Sequence, residues 1–152
     1  MVVHRIPGPS SFTLVLTTLR HSQPDMGGHA VLRHRSGEQL TVKLTPRLFR
    51  VLRVLVKAWL QDSDIDPEVR GTRSSLAIRK DYAEQVGDRA LITPEALTQI
   101  IRKTRIPIEA AIVNLISNMG YTIPDQLPTI IRTLRGLGYR IGDLGVELHD
   151  HS

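Results

Sequence analysis

The sequence predicts an α+β fold, with an antiparallel sheet at its N-terminal end, helices in the middle and a β-hairpin near its C-terminus. Three observations carry this. Short β-branched, partly alternating segments crowd the stretch before residue 45. Two Thr-Pro pairs, Thr45-Pro46 and Thr93-Pro94, each precede apolar residues at helical spacing. A glycine-punctuated, β-rich stretch follows at 129–141. The length of 152 residues suits one domain, or one domain with an appended arm. With 41% hydrophobic but only 4% aromatic residues, the core must be built mainly from Leu, Ile and Val. So few aromatics argue against stacking of single-stranded bases on exposed rings. The absence of cysteine excludes disulfides, thiolate nucleophiles and cysteine-based metal centres. No apolar run has the length of a membrane span, and residues 1–9 lack the basic flank and apolar stretch of a secretory signal.

Taken in order, residues 1–11, with Pro7, Gly8, Pro9 and two serines, read as a flexible arm. Residues 12–19 read as a strand and 21–28 as a loop. Residues 29–35 and 38–44 form a hairpin about Ser36-Gly37. Thr45 is placed to cap a first helix, and Pro46 suits its first position. Leu48, Val51, Leu52, Leu55, Val56 and Trp59 make its apolar stripe, with Arg47, Arg50, Arg53 and Lys57 largely off it. Residues 61–75 are a polar loop, and 76–86 a helix closed by Gly87. Together they suggest an insertion at about 62–90. Thr93-Pro94 starts another helix. Pro107 lacks an N–H and restricts the residue before it, so this helix is expected to end near Arg105-Ile106. A further helix then begins at Pro107, with Ile108, Ala111, Ile112, Leu115 and Met119 on one face. Residues 129–134 and 139–141 form the hairpin, whose tight turn is permitted by Gly136 and Gly138. Residues 143–152 read as a tail.

Strands, then helices, then a hairpin is the order of a winged helix-turn-helix over about residues 12–142. A helix fits the width of the major groove, and a hairpin can lay basic side chains on the flanking backbone. Lys and Arg number 20 against 15 Asp and Glu, a net charge of +5, which suits a protein that approaches phosphates. Three stretches carry a family resemblance: QLTVKLTPRLFRVL at 39–52, LITPEAL at 91–97 and, the most specific, IRTLRGLGYRI at 131–141. Over about residues 29–142 the chain resembles the C-terminal effector domain of OmpR/PhoB-type response regulators. The resemblance implies a bacterial, cytoplasmic, duplex-DNA-binding transcriptional regulator. Only about forty residues precede the first helix, too few for a receiver domain, so either a stand-alone effector or a fragment is expected.

The family register implies a recognition helix at 108–119, with Ile112, Leu115 and Met119 as buried anchors. Glu109, Ala110, Val113, Asn114, Ser117 and Asn118 then face outward, and the two asparagines are suited to adenine edges. Arg102, Lys103 and Arg105, at the end of the preceding helix, would meet phosphates, as would Arg132, Arg135 and Arg140 on the wing, with Tyr139 packed beneath it. A rival register makes 94–105 the recognition helix and offers Gln99, Arg102, Lys103 and Arg105 to the groove.

The expected partner is double-stranded DNA, bound by a homodimer because a single module buries little surface. A contact with the transcription machinery is a further expectation, and no membrane partner is expected. The alternative from a different class is a protein-interaction module of the same fold, docking through Ala110, Ala111, Val113 and Ile116. No nucleophile elbow, phosphate-cradling loop or catalytic carboxylate pair is present, so an enzyme is not expected. No cofactor or metal is expected either. His149-Asp150-His151 lies in the expected tail with nothing to orient ligands. Asp62, Asp64 and Asp66 lack the glycine and terminal glutamate of a calcium loop.

Overall fold

The computed structural model describes residues 11–18, 28–87 and 91–150, and the backbone of 2–6. The element order is β1 (Val2–Ile6), β2 (Phe12–Thr18), β3 (Gly28–His34), β4 (Gln39–Val42), α1 (Pro46–Gln61), α2 (Ser75–Val86), α3 (Pro94–Asn118), β5 (Ile131–Leu134), β6 (Gly138–Ile141) and β7 (Gly145–Asp150). Five strands form one sheet in the order β1-β7-β2-β3-β4, and β5 and β6 form a separate hairpin. The fold is α+β, a winged helix-turn-helix with an N-terminal sheet. The loop expected at 21–28 lies, apart from Gly28, outside the described residues.

The large sheet follows from alternation. Phe12, Leu14, Leu16 and Thr18 of β2 are buried while the residues between them are partly exposed, so one face meets the helices. Ala30 and Leu32 of β3, Val42 of β4 and Val146 and Leu148 of β7 share that face by register. Against it packs α1, capped by Thr45, whose hydroxyl accepts from the Leu48 N–H at 3.4 Å. Phe49, Val51, Leu52, Val54, Leu55, Val56 and Ala58 are all buried, because α1 touches the large sheet on one side and α2, α3 and β6 on others. Arg50, expected off the apolar stripe, is only 7% exposed. A helix enclosed by neighbours on several sides has little outer face to offer a cation.

Three expectations are corrected. The stretch read as a flexible arm contains β1, which pairs antiparallel with β7. The stretch read as a tail contains β7, which runs parallel to β2 and lies between β1 and β2 inside the sheet. Leu144, Val146 and Leu148 are 1%, 0% and 2% exposed, so this segment belongs to the core. Their period-two spacing marks a strand, and Val2 and Val3 carry a β signal as well. With β1 and β7 in it, the sheet reaches beyond residues 12–142.

The third correction concerns the helix break. Residues 94–118 form one continuous helix with Pro107 inside it, so the two rival recognition helices are halves of α3. A proline here leaves the Lys103 carbonyl without its helical donor and costs about 3 kcal/mol. Lys103 is exposed, so water can satisfy that carbonyl. The cost is offset by an uninterrupted buried stripe: Leu97, Ile100, Ile101, Thr104, Ile108, Ala111, Ile112, Leu115 and Ile116. Packing on both sides of the proline holds the axis where propensity alone would end it. Pro107→Ala is accordingly expected to stabilise the domain by about 1–3 kcal/mol, read as a raised denaturant midpoint at constant slope. A lowered midpoint would mean that the proline ring supplies packing that alanine cannot.

Candidate nucleic-acid interface

The second and third helices are set by caps. Ser74 accepts from the Ala77 N–H at 3.1 Å, and Gly87 ends α2 in the left-handed conformation. Thr93 accepts from the Ala96 N–H, also at 3.1 Å, and opens α3. With Leu97, Ile100, Ile101 and Thr104 turned inward, helical geometry sends Thr98, Gln99, Arg102, Lys103 and Ile106 outward, and all five are exposed. The same stripe continues through Glu109, Ala110, Val113, Asn114, Ser117 and Asn118, all exposed except the half-buried Val113. The expected anchors Ile112 and Leu115 are buried, and Met119 is partly buried. The cationic part of the stripe lies wholly in the first half of α3.

The hairpin is fastened beside that first half. Tyr139 and Thr98 bring their hydroxyls to 3.5 Å. Arg105 donates from one guanidinium nitrogen to the Ile131 carbonyl at 2.8 Å and to the Thr133 hydroxyl at 3.1 Å. Arg73, just before α2, exchanges two 3.0 Å backbone hydrogen bonds with Tyr139. The loop between α1 and α2 is itself braced. Asp62 accepts from the Arg73 guanidinium at 2.7 and 3.0 Å and from the Gly71 N–H at 3.1 Å. The Arg73 hydrogen bond holds the Asp62 carboxyl below the ordinary aspartate value, against a smaller opposing effect of burial. This loop, expected to be merely polar, is a structural brace on the wing.

The wing arginines divide by employment. Arg135, at the tip, is exposed and has no hydrogen bond or ion pair among the described residues. Arg132 donates to both oxygens of Asp143 at 3.0 and 2.9 Å, with its side chain 44% exposed. Arg140 is only 9% exposed, in contrast to the expectation that it meets phosphate. Its Nε donates to the Glu68 carbonyl at 3.0 Å and one terminal nitrogen to the Ile141 carbonyl at 2.7 Å. Its guanidinium carbon lies 5.6 Å from the centre of the Trp59 ring, which Arg70 approaches to 4.7 Å. Burial, and the nearby charge of Arg132, pull the Arg140 pKa below the ordinary arginine value. Alternation does not separate them, since Arg132 and Arg140 are paired directly across the hairpin and share a face. The difference lies in what each strand adjoins: β6 meets α1 and the Glu68 loop, while Arg132 on β5 reaches only Asp143.

The structure thus brings Arg102, Lys103 and Arg135 together with Thr98, Gln99 and the 56%-exposed tip residue Leu137 on elements tied to each other. It carries Glu109, Ala110, Val113, Asn114, Ser117 and Asn118 onto the far half of the helix, and engages Arg105 and Arg140 internally. Thr98 was not singled out from sequence, although it lies four residues before Arg102 and therefore on the same face. Of the protein-docking set, Ala111 and Ile116 are buried, leaving Ala110 and Val113 at the surface. Among the described residues no group of three or more histidine, aspartate or glutamate side chains is arranged to hold a metal. Neighbouring residues of β7, His149 and Asp150 meet Glu147 and Arg53 respectively, while His151 lies outside the described residues. No described helix is long and apolar enough to cross a membrane.

Three helices with a hairpin fastened beside the third define the winged-helix class. No protein-family model matches the chain, and no curated protein matches it. A search of solved structures finds the DNA-binding domain of E. coli CadC, at 22% identity over 78% of this chain and 80% of that one, with a TM-score of 0.38.

Proposed function

We propose that this chain is a duplex-DNA-binding transcriptional regulator of the OmpR/PhoB effector type, which places the first half of α3 in the major groove and the wing on the flanking backbone. The observation that supports it is the set of unpartnered cations Arg102, Lys103 and Arg135 on two elements locked side by side. The 25-residue α3 is about 37 Å long at 1.5 Å per residue, whereas the major groove is about 12 Å wide. Only part of such a helix meets base edges, and the part beside the wing is the cationic part. Gln99 then reads a base edge, Arg102 and Lys103 meet phosphates or guanine, and Arg135 meets backbone or minor groove. Glu109, Ala110, Val113, Asn114, Ser117 and Asn118 lie farther along the same stripe, at the margin of the contact. A homodimer on repeated half-sites makes up for the small area of one module. No catalytic step, cofactor or metal enters the proposal.

The test is a titration of the protein against generic duplex DNA over a range of salt. Counterion release makes affinity fall steeply with salt, by about 0.9 in log–log slope for each neutralised phosphate. Arg135→Ala is expected to weaken binding to every sequence alike and to flatten the slope by about that amount. Once a preferred site has been selected, Gln99→Ala is expected to relax discrimination at one base pair, worth about 1–3 kcal/mol. Salt-independent affinity, or an Arg135 variant that binds like the parent, would overturn the reading.

A second reading, a protein-docking module, draws on the far half of α3. From 106 to 118 its exposed stripe holds no Lys or Arg, and Tyr121 and Ile123, just beyond it, are 66% and 44% exposed. Loss of DNA affinity on Arg102→Ala, with no loss on Asn114→Ala, assigns the contact to the first half of the helix.

A further inference from the structure

We propose that Arg105 acts as a strut setting the angle of the wing against α3, and that it makes no contact with nucleic acid. The inference deepens the duplex-binding reading and rests on it. By composition Arg105 belongs with Arg102 and Lys103 as part of one basic cluster. Its hydrogen bonds and burial separate it from them. At 100° per residue it lies about 20° from Thr98 and about 60° from Arg102, on the wing-side edge of the outward stripe, and it is half-buried where Arg102 and Lys103 are exposed. One nitrogen of its guanidinium spans the Ile131 carbonyl and the Thr133 hydroxyl, acceptors two residues apart on β5. β5 has a partner strand, β6, on one side. A donor reaching it from α3 both satisfies that carbonyl and fixes where the strand stands.

The wing needs such a fastening. Its strands are four residues each, and a two-stranded hairpin of that size is not stable alone in water. Thr98, seven residues before Arg105, lies about two helical turns away and holds Tyr139 on β6. The hairpin is therefore held at two points along one helix, one on each of its strands. Removing the Arg105 bonds leaves β6 seated on α1 and the Arg73 and Glu68 backbone but frees β5 from α3, and duplex binding must then order that strand at a cost in affinity.

Arg105→Met keeps the apolar stem and removes the donors. Duplex affinity is expected to fall about tenfold at every salt concentration with the salt slope unchanged, since no phosphate contact is lost. Arg102→Met, in contrast, is expected to lower affinity and flatten the slope by about 0.9. Thr133→Val removes one acceptor without changing charge. Its effect is expected to vanish in the Arg105→Met background, as for two members of one interaction. In the free protein, amide exchange across residues 131–134 and 138–141 is expected to quicken in Arg105→Met and to stay at the parental rate in Arg102→Met. A flattened salt slope for Arg105→Met would make it a phosphate contact and overturn the proposal, and so would unchanged exchange in the wing. The exchange measurement needs no DNA. If the parent binds no duplex, the function reading fails while the strut is still judged on its own.

Discussion

A chain ended at Gly142 is expected not to fold. The deletion removes β7, which lies between β1 and β2 and is the neighbour that holds β1 in the sheet. It takes Leu144, Val146 and Leu148 out of the core, all at most 2% exposed. At about 2 kcal/mol for each such side chain, this loss alone compares with the whole stability of a small domain, about 5–15 kcal/mol. It also removes Asp150, which accepts from both Arg53 and Thr18 and pins the end of β7 to α1 and β2. Burial alone would raise the Asp150 pKa, but those hydrogen bonds and the charges of Arg53 and Lys57 outweigh it and hold the carboxyl below the ordinary aspartate value. Circular dichroism and a denaturant titration measure the outcome. A native spectrum with a cooperative transition from the truncated chain would show that β7 is dispensable. Val146→Asp, which places one unpaired charge in the same strand, is expected to give the same collapse from a full-length chain.

Gly138→Ala is expected to release the wing. Gly138 has φ +136°, and a Cβ there would lie 2.0 Å from the Arg73 carbonyl oxygen, with more Arg73 and Ser74 backbone within 3 Å. Backbone cannot turn aside as a side chain can, so the exchange between Arg73 and Tyr139 must open. Strain at a glycine conformation costs about 1–3 kcal/mol, and each hydrogen bond lost about 1 kcal/mol more. Gly136 supplies the control. It has φ +79° with nothing within 4 Å of a built Cβ, so Gly136→Ala is expected to cost only the left-handed penalty of about 1–2 kcal/mol. The two variants are compared by denaturant midpoint and duplex affinity. Equal losses would mean that the wing does not depend on its seat against Arg73. The larger loss at Gly138, in stability and in binding together, would tie the geometry of the hairpin to its contact with DNA.

Much of this was legible in the residues. The caps Thr45, Thr93 and Gly87 lie where the Thr-Pro and glycine signals put them, because capping depends on atoms within one turn of the chain. The hairpin about Arg135–Gly138 was readable for the same reason. The continuity of α3 was not. Pro107 is a true local stop signal, and the buried stripe that overrides it exists only once α1 and the sheet are in place. Nor was the division among arginines. Arg105, Arg135 and Arg140 are chemically alike, and neighbours distant in the chain decide which meets solvent: Thr133 and Ile131 for the first, Glu68 and Trp59 for the last.

By itself the sequence determined the α+β class, the starts of α1 and α3, the wing and the basic balance of the chain. All of these depend on residue type and short-range spacing. Only the tertiary structure decided that β7 enters the sheet between β1 and β2, that two expected helices are one, and which cations are left at the surface beside the wing. Strand order and burial are properties of contacts between residues far apart in the chain, and no local pattern encodes which distant partner will take a given hydrogen bond.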